Sequence, residues 1–171
     1  MNESHGTRVL GPADGRAGML GSMGVRFMLA GEETGGGFAL VEHPIPPRAL
    51  AAPLHRHTHE DEYSFVLEGR VGALLGDEIV YGEPGDLIFK PRGQWHTFWN
   101  DGAEPARILE LISPAGFERY FEDMVDLLER GGPPDPSALA AIAARYELEV
   151  DRDSIPRLTQ EHGLHFRPPA P

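Results

Sequence analysis

From Val25 to Ile112 the chain is a succession of short apolar or alternating runs: VRFML, FALVEHPI, EYSFVLEG, VGALL, EIVYG, DLIFKP, WHTFWN and RILELI. A period of two places successive side chains on opposite faces, so these runs predict half-buried strands. The breaks between them are turn-formers: Gly69, Gly76-Asp77, Pro84-Gly85-Asp86 and Asn100-Asp101-Gly102. Such residues tolerate positive φ or preset a reversal. Short strands joined by tight turns predict an all-β, antiparallel sandwich or barrel. After Ser113-Pro114 the period changes. Phe117, Tyr120, Phe121, Met124, Val125, Leu127 and Leu128 recur at three and four, the spacing of an amphipathic helix, and Gly131-Gly132-Pro133-Pro134 stops it. A second helix is predicted from Ser137 as N-cap, before LAAIAARY, and a further turn after Pro156. Residues 1–24 are Gly-rich with little apolar periodicity, which predicts a mobile or loosely docked arm. The chain thus divides into an arm at 1–24, a β-domain at 25–112 and a helical segment and tail at 113–171.

Composition narrows the chemistry. The 171 residues suffice for one domain that buries about 70% of its unfolded surface. With 27 acidic against 15 basic residues the net charge is −12, which repels a phosphate backbone, so no nucleic-acid partner is expected. There is no cysteine, hence no thiolate ligand and no cysteine nucleophile, and any metal has to sit on His, Asp or Glu. No apolar run approaches the ~20 residues a membrane span needs, and the N-terminus lacks the basic and apolar pattern of a secretory signal. A cytoplasmic protein with no membrane partner is expected.

Five of the eight histidines fall between positions 43 and 96, three of them in HRHTHEDE at 55–62. Residues two apart on a strand share a face, so His55 and His57 can reach one ion from a single strand. Glu62 opens the next strand, and His96 begins another. An HxH pair alone is commonly two surface histidines; the added carboxylate and third imidazole suggest a donor set that leaves two positions open on an octahedral ion. Because imidazole must be neutral to bind, proton competition is expected below pH ~6.5.

The spacing resembles the cupin superfamily. Its first motif is G, five residues, HXH, three or four residues, E, six residues, G; its second is G, five residues, PXG, two residues, H, three residues, N. Here His55-Arg56-His57, four residues, Glu62, six residues and Gly69 follow the first, with Ala49 in place of the leading glycine. Gly85, Pro91-Arg92-Gly93, His96 and Asn100 match the second throughout. The resemblance implies a conical antiparallel β-barrel of the jelly-roll, double-stranded β-helix type with C-terminal helices. It implies one divalent metal ion (Fe, Mn, Ni, Cu or Zn) on His55, His57, Glu62 and His96. A register using His57 and His59 leaves too few residues before Glu62, so His59 is expected at the mouth of the pocket, and Glu60 and Asp61 in solvent. Strand parity from Glu62 and His96 places Ser64, Val66 and Phe98 inward; Lys90 and Glu110, odd charges in apolar strands, are further pocket candidates. The resemblance to small quercetinase-like dioxygenases implies oxygenation of an enolic, phenolic or polyketide-like small molecule, with Glu62 as ligand and proton acceptor. A redox-neutral isomerase or cyclase, or a binding module without turnover, remain as alternatives. A homodimer is expected, since barrels of this family commonly pair.

Overall fold

The computed structural model describes residues 7–166. Among these residues, twelve strands form two antiparallel sheets. In the first, β1 (Ala17–Met19), β2 (Gly24–Leu29), β3 (Ala39–Ile45), β11 (Ala106–Ser113), β6 (Asp61–Glu68) and β9 (Leu87–Lys90) lie side by side in that order. In the second the order is β12 (Leu148–Asp151), β5 (Leu54–His57), β10 (His96–Asn100), β7 (Val71–Leu75) and β8 (Glu78–Gly82), and the short β4 (Ala49–Leu50) also pairs with β10. The sheets are not closed into a barrel; they face one another as a jelly-roll sandwich.

Alternation decides the inner faces. On β6, Glu62, Ser64 and Val66 are buried while Phe65 is exposed, and on β11 Ala106, Ile108, Glu110 and Ile112 are buried. Ile45, Val66, Ile88, Phe98 and Ile108 pack into one apolar core between the sheets. Turn chemistry sets the registers. Gly69 has φ +71°, and a Cβ there would lie 2.8 Å from the Ala106 backbone. Asn100 fastens the β10–β11 connection, its amide donating to Ile45 O at 3.1 Å and Glu104 O at 2.8 Å while Oδ1 accepts from Gly102 N.

Three helices follow: α1 (Glu118–Leu128), α2 (Pro136–Arg145) and α3 (Ser154–His162). The apolar stripe of α1 buries Phe121 and Val125 against Val25, Val41 and Ile112, closing one end of the sandwich. On the outer face of the second sheet, Trp99 packs with Leu50 and Leu158 and stacks on His162 of α3 at 4.2 Å.

Three expectations are corrected. Residues 17–24 are not a loose arm: β1 pairs with β2, and Ser22 and Met23 are buried; residues 1–6 lie outside the described residues. The N-cap of α2 is Asp135, which accepts from Ser137 N at 2.9 Å, with Pro136 in the first turn where its missing N–H costs nothing. The C-terminal segment is also not purely helical, because β12 joins the second sheet against β5.

Candidate metal centre

The second sheet supplies three imidazoles and the first supplies a carboxylate. His55 and His57 project inward from β5, and His96 of β10 is paired directly across from His55. Glu62 reaches toward them from β6 in the facing sheet. One ligand atom from each of the four lies within 4.8 Å of the others, and all four side chains are buried. Glu62 Oε1 is 3.4 Å from His57 Nε2, and Oε2 is 3.2 Å from His96 Nε2.

The donor chemistry fits a cation. Nδ1 of His55 faces the Pro53 carbonyl at 2.8 Å and Nδ1 of His96 the Gln94 carbonyl at 3.0 Å. A carbonyl only accepts, so Nδ1 carries the proton in each neutral ring; Nε2 of His55 is then bare, while Nε2 of His96 faces the Glu62 carboxylate at 3.2 Å. Nε2 of His57 is buried without a hydrogen-bond partner. Imidazole nitrogens and a carboxylate converging in a buried space could hold a cation at their centre.

Burial, with His96 and His57 adding to it, holds the pKa of His55 well below 6.5; burial also lowers that of His96, against the opposing pull of Glu62. Both rings therefore stay neutral through the neutral range. The sign follows directly: a lowered pKa weakens proton competition, so its onset moves to the acid side of the ordinary value of 6.5. Zinc affinity measured against a competing chelator is expected to be nearly constant from pH 8 to about 6.5 and to fall only below that. A decline starting above pH 7 would contradict the buried, neutral histidines.

Burial alone would raise the pKa of Glu62, but the Lys90 ammonium, with His57 and His96, holds it well below the usual carboxylate range. Lys90 Nζ lies 2.9 Å from Glu62 Oε2 and 3.0 Å from Glu110 Oε1, and Ser64 Oγ donates to Glu110 Oε2 at 2.8 Å. Burial tends to discharge Lys90, but the two carboxylates overcome this and raise its pKa. Glu110 is the second anion on one ammonium. Burial pushes its pKa up to about 7, against the pull of Lys90.

An apolar pocket of about 340 Å³ opens from the cluster toward α1 and α2. His55, Glu62, Phe98 and Glu110 form its floor, and Phe117, Tyr120, Phe121, Met124 and Leu148 its far wall. Of the sequence candidates, Lys90 and Ser64 lie behind this floor, joined to Glu62 and Glu110, and Val66 belongs to the core between the sheets. His59, expected at the pocket mouth, is a correction: its side chain is 56% exposed and 3.1 Å from Glu147, because β5 ends at His57 and the turn after it leads to the surface. Glu60 is a correction in the other direction. It is buried, with Oε2 3.7 Å from His57 Nδ1, whereas Asp61 binds Arg92 at the surface. His43, missed from sequence, also lines the pocket.

The fold and this donor set define a metal-competent jelly roll of the cupin class. Residues 42–112 match the family model described as cupin domain. The tetracenomycin polyketide synthase protein TcmJ of Streptomyces glaucescens is 37% identical over 60 residues, covering 35% of this chain and 40% of that relative. The polyketide cyclase RemF from Streptomyces resistomycificus has a similar structure, with a TM-score of 0.54 and 26% identity over 63% of this chain and 79% of that one. A predicted oxalate decarboxylase from Thermotoga maritima shares the fold, with a TM-score of 0.51 and 22% identity over 54% of this chain and 80% of that one. No helix among the described residues is long and apolar enough to cross a membrane.

Proposed function

We propose that this chain is a metal-dependent cupin that cyclises a polyketide-like, enolic substrate without net redox change. The observation that carries this reading is the His55, His57, Glu62 and His96 donor set, of which His55 and Glu62 line an apolar pocket with an aromatic far wall. The likenesses to TcmJ and RemF support the substrate class, and the latter supports cyclisation.

A divalent ion bound by the four ligands supplies Lewis acidity toward a carbonyl or enol oxygen. The remaining roles belong to the chain. The apolar walls exclude water from a reactive poly-ketone. Phe98, Phe117, Tyr120 and Phe121 offer ring faces and edges to a flat substrate. Glu62 is fitted to be a ligand more than a base, since Lys90 pins it as a carboxylate. Glu110 faces the same pocket with a pKa near 7, which is matched to accepting and returning a proton at neutral pH.

The oxygenase expectation uses the same site, and one experiment separates the two readings. The zinc-loaded protein is expected to cyclise a short poly-β-ketone thioester in anaerobic buffer at the rate seen in air, with product followed by chromatography and mass spectrometry. Turnover that stops without dioxygen, or that needs iron, manganese, nickel or copper, would replace cyclisation by oxygenation.

A further inference from the structure

His43 of β3 is the pocket-lining histidine outside the donor cluster. It is 1% exposed, paired with Ile108 of β11 and in edge-on contact with Phe121 at 5.1 Å, within a largely apolar enclosure. Its Nδ1 is 2.9 Å from the carbonyl of Gly24 on β2. That carbonyl can only accept, so Nδ1 carries the proton and Nε2 of the neutral ring is a bare acceptor. No described residue hydrogen-bonds this Nε2. Burial lowers the pKa to about 4, against the raising effect of the Gly24 bond, so the acceptor persists through the neutral range. The ring lines the pocket and its Nε2 is not sealed off from it, so a guest that brings a donor can pair an acceptor that no described residue serves.

We propose that His43 Nε2 recognises a ligand O–H, making it a specificity-determining residue that selects guests carrying a phenol or enol hydroxyl in addition to the oxygen at the metal centre. The inference rests on the pocket being a ligand site and is independent of whether turnover is cyclisation or oxygenation. A tethered or free polyketide intermediate, rich in such hydroxyls, has the matching chemistry.

The test is calorimetric titration of the zinc-loaded, full-length protein at pH 7 with 2-naphthol and with 2-methoxynaphthalene, which differ in the donor. The wild-type protein is expected to bind the naphthol about tenfold more tightly. In His43→Phe the preference is expected to vanish while the ether still binds and zinc stays at one equivalent. His43→Asn keeps an amide donor for the Gly24 carbonyl without the Nε2 acceptor, and it is expected to lose the preference too, which separates recognition from folding. An undiminished preference in both variants would assign the hydroxyl to the metal centre or Glu110 and overturn the proposal. Equal binding of both probes by the wild type would also overturn it, and binding of neither would overturn the pocket reading itself.

Discussion

Replacing His96 by alanine is expected to abolish tight metal binding, with zinc content after dialysis falling from about one equivalent to near zero and affinity dropping by more than ~100-fold. The reason is geometric. His96 is paired across from His55 and stands 3.2 Å from Glu62, so it joins the imidazoles of one sheet to the carboxylate of the other. Losing even a group that merely orients a ligand costs about 10–100-fold, and losing the ligand costs more. His59→Ala is the matched control and is expected to keep full stoichiometry, since His59 lies at the surface with Glu147. Retention of metal in His96→Ala, or loss in His59→Ala, would place the ion elsewhere.

The second large effect is expected at Lys90. This ammonium is 1% exposed and serves both Glu62 and Glu110. Lys90→Met leaves two buried carboxylates without their counter-charge, and removing one partner of a buried ionic group costs about 3–5 kcal/mol. Urea unfolding of the metal-free protein at pH 7 is expected to show a loss of that order. The pH dependence has a definite sign. Without Lys90 the folded-state pKa values of the two carboxyls rise above their unfolded values, so the folded form binds more protons, and the deficit is greater at pH 8 than at pH 5. Lys90→Met combined with Glu110→Gln is expected to recover part of the loss, because only one anion is then left unpaired. A Lys90→Met protein destabilised by less than about 1 kcal/mol would show that the lysine is not the counter-charge of this network.

Much of the site could be read before any coordinates because its determinants are local. His55 and His57 share a face through the two-residue period, and Gly69, Gly85 and Gly93 mark turns that the backbone does take with positive φ. Lys90 and Glu110 stood out as charges in apolar strands, yet their partnership runs through β6, between β9 and β11, and only the sheet order reveals it. His59 failed because motif spacing excludes it as a ligand but does not say where the turn after β5 carries it, which is to the surface beside Glu147. The strand β12 escaped notice since Leu148 and Val150 alternate over just four residues between helical patterns, and its partner β5 is remote in sequence. His43 left a usable signal: in ALVEHPI it shares parity with Ala39, Val41 and Ile45, all buried. What made it distinctive, the Gly24 carbonyl on its ring, depends on β2 lying alongside β3.

The four candidate donors all come from positions 55–96, while the far wall of the pocket comes largely from positions 117–150. The donor cluster and most of the wall are therefore encoded in separate stretches of chain, joined where β12 lies along β5. A graft of a different segment over positions 117–147, stopping short of β12, would recast the mould while keeping the strand that lies along His55 and His57, and drift there would let a lineage explore new guests without disturbing the donor cluster.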